Sequence, residues 1–178
     1  MDSPFISKDG LDTVKKYVFG QRVEACGFLF QGPELEVYFE SYGDNKMCQH
    51  SHYTRYIWHT HPHNLKAYPS PEDIVKIIKA RPPKNYPKVS IIFTTWGIWE
   101  VSSGSRLDNL DPDYLLQKID ATSESLYRNT ERGRVLEKQP VHDYIQTVLH
   151  NFNKKGIKLR LNFTPWDEIR DRYYLRNP

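Results

Sequence analysis

Hydrophobic and polar positions along this chain switch between two periods. Leu11, Val14, Tyr17 and Val18 stand at helical spacing and predict a short helix over residues 11–19, ended by Gly20. Residues 23–30 are apolar apart from Glu24 near their start and read as a strand. After the Gly32-Pro33 turn, Leu35, Val37 and Phe39 alternate with Glu36, Tyr38 and Glu40, the pattern of a half-buried strand. A polar loop over residues 42–53 leads into a third strand, Tyr56 to His61. Ser70 then has the form of a helix N-cap with Pro71 at the first helical position, and Ile74, Ile77 and Ile78 form an apolar stripe that Arg81-Pro82-Pro83 terminates. Residues 89–95 predict a buried strand, and Gly97 introduces another through Val101.

Beyond Ser102 the composition turns polar, and residues 109–112 read as a linker into a helix over 114–127. Val141, Tyr144, Ile145, Val148, Leu149 and Phe152 then share one helical face, closed by Gly156. Ile157, Leu159, Leu161 and Phe163 alternate as a strand, and Thr164-Pro165 with Asp167-Glu168 opens a last short helix. No repeats or low-complexity tracts occur. This order of elements predicts an α+β or α/β/α domain with a mixed central sheet.

Length and charge narrow the class. At 178 residues and 38% hydrophobic content, one domain is expected, large enough to bury roughly 70% of its unfolded surface. The net charge of +3 is local, since residues 150–178 hold seven basic and three acidic groups. That excess calls for neither nucleic acid nor a membrane surface, and the aromatic and basic terminus with Trp166, Arg170, Arg172, Tyr173, Tyr174 and Arg176 is expected to be a packed terminal helix. Two cysteines, Cys26 and Cys48, are too few for a disulfide framework, and no basic-then-apolar leader opens the chain; an intracellular, cytoplasmic protein is expected. No apolar run approaches the roughly 20 residues needed to span a bilayer.

The candidate chemistry lies in His59-Thr60-His61-Pro62, followed by Ser70-Pro71-Glu72-Asp73. On a strand, alternate side chains share a face, so His59 and His61 point one way and Trp58 and Thr60 the other. A helix starting at Ser70 and returning to the mouth of that strand brings a carboxylate to the two imidazoles. Two His and one Asp suit zinc, and three protein ligands leave a fourth position for water, the mark of a catalytic site. Taken singly, each group has a plainer reading. Ser70 and Asp73 resemble a capping box, Glu24 could pair with Arg22, and Cys26, which shares the Glu24 face, is taken as a small buried apolar group. His50 and His52 repeat the spacing in a polar loop without a matching acid, and are expected to be solvated; His63 is left unassigned. Gly27 is expected to permit close backbone packing.

Glu24, the HxHP at His59 to Pro62 and the SxxD at Ser70 to Asp73 together resemble the JAMM signature of the MPN/JAB family of zinc metallopeptidases, over roughly residues 11–105. The resemblance implies a cytidine-deaminase-like MPN/JAB domain, its mixed sheet flanked by helices, with the remainder a helix-rich C-terminal extension packed on this core. It implies one zinc ion held by His59, His61 and Asp73, with Glu24 as general acid/base and Ser70 steadying an oxyanion. It further implies hydrolysis of an amide, at the C-terminus of ubiquitin or a ubiquitin-like modifier, as in deubiquitinases. The competing expectation is a non-catalytic MPN-type scaffold, or a structural component of a larger assembly such as a virus particle.

Overall fold

A computed structural model describes residues 3–43, 54–62, 67–78, 87–103, 117, 121, 138–154 and 156–177. The described chain is α+β. Its central sheet has six strands: β2 (Glu24–Gln31), β3 (Leu35–Gly43), β4 (Tyr56–His61), β5 (Val89–Thr94), β6 (Gly97–Ser103) and β7 (Leu159–Pro165). They lie in the order β3-β2-β4-β5-β6-β7, with β4 and β5 parallel and every other pair antiparallel. The parallel pair follows from the connection, because a crossover through α2 (Pro71–Ile78) reverses the chain before β5 begins. A second sheet pairs β1 (Phe5–Ser7) with β8 (Arg172–Tyr174), joining the two ends of the chain.

The pleat divides the core between two faces. Trp58, Ile91, Phe93 and Ile98 pack with Leu11, Val14 and Val18 of α1 (Lys8–Gly20) on one side. On the other, Ile92, Trp99, Val101 and Leu161 pack with Ile74, Ile77 and Ile78 of α2 and with Val141, Tyr144, Val148 and Phe152 of α3 (Lys138–Asn153). Helices therefore cover both faces, and the interleaved assignment of Ile91, Ile92 and Phe93 is what period-two alternation requires. Of the 114–127 helix only Gln117 and Ala121 are described, both helical; the 109–112 linker, the Arg81-Pro82-Pro83 stop and His50, His52 and His63 lie outside the described residues, as does most of the 42–53 loop, whose first two residues instead finish β3.

Three expectations need correction at the ends of the fold. The helix of residues 11–19 begins earlier, at Lys8, because Ser7 caps it by accepting from the Gly10 N–H at 3.3 Å. β1, too short at three residues to show a period, is absent from the sequence pattern. In place of a last helix after Thr164 and a packed terminal helix, the chain makes a single 3₁₀ turn, Trp166–Glu168, and then β8. A buried carboxylate accounts for the extended ending. Glu100, only 1% exposed on β6, accepts from the Tyr173 hydroxyl, from the Arg176 N–H at 3.0 Å and from the Asn177 N–H at 3.3 Å. An extended terminus offers these donors, whereas a helix would consume its N–H groups internally.

Phe39 shares the inward phase of Leu35 and Val37 and stacks on Tyr17 with ring centroids 5.2 Å apart, yet it remains 42% exposed. Among the described residues its strand is the edge of the sheet, with no strand on its outer side. No helix among the described residues is long and apolar enough to cross a membrane.

Candidate metal centre

β4 is buried along its whole length, and its even positions explain how the site is held. Trp58 donates its indole N–H to the carbonyls of Phe28 (3.2 Å) and Tyr38 (3.1 Å), where a bulge at Cys26/Gly27 breaks the β2–β3 register. A Cβ at Gly27 would overlap the Tyr38 carbonyl and crowd that indole, so the close approach expected of this glycine is present. Thr60 turns its hydroxyl to the β2 backbone and accepts from the Ala25 N–H at 2.9 Å. With Trp58 and Thr60 fixed, His59 and His61 face the α2 side, their rings 5.1 Å apart and exposed by only 4% and 6%.

The antiparallel register pairs Cys26 with His59, which brings the start of β2, and Glu24 with it, beside the histidines. Glu24 Oε1 lies 3.7 Å from His59 Nε2. One ligand atom from each of Glu24, His59 and His61 falls within 4.8 Å of the others, a spacing that a single metal ion can bridge. From the opposite side α2 presents Asp73, with Oδ1 3.2 Å from His59 Nε2 and Oδ2 3.4 Å from His61 Nε2. Ser70 and Asp73 cap α2 reciprocally: Ser70 N–H donates to Asp73 Oδ2 at 2.8 Å and Asp73 N–H to Ser70 Oγ at 3.2 Å. Glu24, His59, His61 and Asp73 thus stand around one small volume, and Ser70 is tied to it through Asp73.

The electrostatics separate the two carboxylates. Burial raises the Glu24 carboxyl above its ordinary value, against the opposing charges of His59 and His61. Burial also acts upward on Asp73, but the two imidazoles outweigh it and hold this carboxyl well below the usual carboxylate range. Lys76, one turn beyond Asp73, is a site neighbour that sequence motifs do not single out. Burial lowers its pKa while Asp73, Glu24 and Glu40 oppose the shift. Its only sequence signal is the i, i+3 spacing from Asp73 on a helix.

A metal ion suits this donor set. His59 Nε2 is buried with no hydrogen-bond partner despite the nearby carboxylates, the condition of an imidazole nitrogen whose lone pair is meant for a metal. Which ion is a matter of chemistry: two imidazoles with one or two carboxylates fit several divalent metals, zinc among them.

Cys26 departs from the expected free apolar thiol. It is disulfide-bonded, so its sulfur is not a thiolate ligand; the other cysteine of the sequence, Cys48, lies outside the described residues. Spacing along the chain cannot reveal such a bond, which depends on Cα separation and side-chain direction in the fold. It also removes the cysteine count as a reason to infer a reducing compartment.

Comparison with protein-family models, with curated proteins and with solved structures finds no match to this chain. The likeness to the JAMM signature therefore rests on the sequence motifs alone.

Proposed function

We propose that this chain is a JAMM-type zinc metallopeptidase that hydrolyses an amide bond, with the C-terminus of ubiquitin or a ubiquitin-like modifier as the substrate class. One observation carries it: Glu24, His59 and His61 converge within 4.8 Å, and Asp73 closes on both imidazoles from α2. Two imidazoles and two carboxylates gathered from β2, β4 and α2, with Ser70 bonded to one of those carboxylates, call for a common purpose, and one hydrolytic reaction uses them all.

In this assignment His59, His61 and Asp73 hold the ion. Zinc, when bound, supplies Lewis acidity for a water and for the scissile carbonyl. Glu24, at the mouth of β2 and partly exposed, accepts a proton from the attacking water and returns it to the leaving amine. Ser70 Oγ accepts from the Asp73 N–H, which leaves its own hydrogen for the oxyanion. The capping bonds fix that hydroxyl in advance, so little reorganisation is required during reaction.

The test is zinc content of the purified full chain together with turnover of linked ubiquitin chains and of a modifier–peptide amide fusion. About one zinc per chain and metal-dependent cleavage, lost on chelation and restored by zinc, are expected. A chain that binds zinc but cleaves none of these substrates would instead be the scaffold.

A further inference from the structure

A cation stands beside the carboxylates of the metal centre. Lys76 follows Asp73 by three positions on α2, so the two side chains share one face of the helix, the face that Asp73 turns to His59 and His61. Ile74, Ile77 and Ile78 take a different face into the core, and Lys76 is left half-buried on the site side. The β2–β3 bulge adds a third carboxylate at the same level. Cys26 pairs with Ser41 but Gly27 with Phe39, so Glu40 is the additional residue of β3, and Cys26 in turn pairs with His59. Glu40 and His59 are thus nearly level across three strands. Because α2 connects two parallel strands, it runs back along β4, and one turn past Asp73 it has descended toward that level.

The electrostatics agree with this placement. Burial favours the neutral amine of Lys76, and the charges of Asp73, Glu24 and Glu40 all act against it. The influence is mutual: burial raises the Glu24 carboxyl, and Lys76 is among the cations that oppose the rise.

Glu24 is the group such a cation can matter to. Its carboxylate lies 3.7 Å from His59 Nε2, and one of its oxygens shares a 4.8 Å volume with both imidazoles. An ion held there attracts the carboxylate as a further ligand, and a lone pair given to a metal is lost to proton transfer. A fixed ammonium on the helix side supplies the competing attraction, while Glu40, approaching from β3, holds that ammonium from the side away from the histidines.

We propose that Lys76 is a positioning residue of this centre: with Glu40 behind it, its ammonium draws the Glu24 carboxylate off the ion and keeps it available as the base; the base role rests on the hydrolase function above. The probe is cobalt(II) loaded into the full chain, whose visible absorption reports its ligands, together with zinc affinity by chelator competition and with kcat and KM on the substrates already named. Lys76→Met should alter the cobalt spectrum and tighten zinc about 5-fold. It should lower kcat about 10²-fold with KM within about 2-fold. Lys76→Arg, which keeps the cation, should retain the native spectrum and most of the rate. Glu40→Gln, outside the helix, should reproduce the Lys76→Met changes in part, and carries the test if Lys76→Met does not fold. In a Glu24→Gln background Lys76→Met should change neither the spectrum nor the remaining rate, because Lys76 acts through Glu24 alone. A native cobalt spectrum in folded Lys76→Met, or an equal fall in kcat with and without the Glu24 carboxylate, would overturn the assignment. The spectral change in a chain that cleaves nothing would uphold the hold of Lys76 on Glu24 and sink the hydrolase; cleavage by Lys76→Met at the native kcat would do the reverse.

Discussion

Ser70 and Asp73 hold each other by two reciprocal hydrogen bonds, 2.8 Å and 3.2 Å long, and the same Asp73 carboxylate faces both His59 and His61. The cap and the candidate metal ligand are one side chain. The bonds that start α2 also aim its carboxylate, so local folding and site geometry share the same atoms.

Ser70→Ala should therefore act twice. Loss of the cap is expected to lower stability by about 1 kcal/mol, and loss of an oxyanion donor to lower kcat about 10²-fold. Ser70→Gly separates the effects, since glycine restores most of the capping preference but no hydroxyl. Denaturant melts and single-turnover rates on both variants measure the two quantities; a Ser70→Gly enzyme with native turnover would leave Ser70 a cap alone.

The two carboxylates should part company in metal binding. Asp73→Asn is expected to weaken zinc binding strongly, whereas Glu24→Gln should retain zinc and lose about 10²- to 10⁴-fold in turnover, because an amide cannot take the proton. Zinc content by mass spectrometry and cleavage rates decide it. Loss of zinc from Glu24→Gln would make Glu24 a ligand, a role its 3.7 Å approach to His59 also permits.

His59→Ala and His61→Ala should each remove the bound metal, and chelation of the native chain should lower its melting temperature, because an ion bound only by the folded state stabilises it. A full complement of metal in the His59→Ala, His61→Ala double variant would move the site elsewhere.

Stability should fall at alkaline pH through Tyr173. Burial, and then the adjacent Glu100 charge, push this phenol above its ordinary value of 10.0. The folded state thus keeps the proton that the unfolded state releases. The contribution is complete below pH 10 and declines as the pH rises beyond it. Melting temperatures from pH 8 to 11 should show a steeper alkaline loss for the native chain than for Tyr173→Phe. Parallel curves would exclude this phenol as the cause.

A chain ending at residue 105 should aggregate. It lacks β7, the partner of β6 from Gly97 to Ser103, and α3, which covers Ile92, Trp99 and Val101. Removing both bares a sheet edge and an apolar face together. A soluble fragment with a cooperative melt would show that these elements are dispensable to the core.

Periodicity determined most of the elements, and spacing together with the resemblance to the JAMM signature named the members of the candidate site. The strand of Tyr56 to His61, the Ser70 cap, the stripes on α2 and α3 and the alternation of β7 are local signals, set by side-chain direction and backbone hydrogen bonding within a few residues. Tertiary structure decided what depends on distant partners. The last residues became a strand because Glu100, more than 70 positions earlier, needs donors that an extended chain supplies. Cys26 joined a disulfide, which depends on a partner distant in the chain, and Phe39 remained half-open because its strand lies at the sheet edge. The 3.2 Å approach of Asp73 to His59 likewise required α2 to fold back over the end of β4, for the sequence names the donors but only the packed sheet and helix set the distances between them.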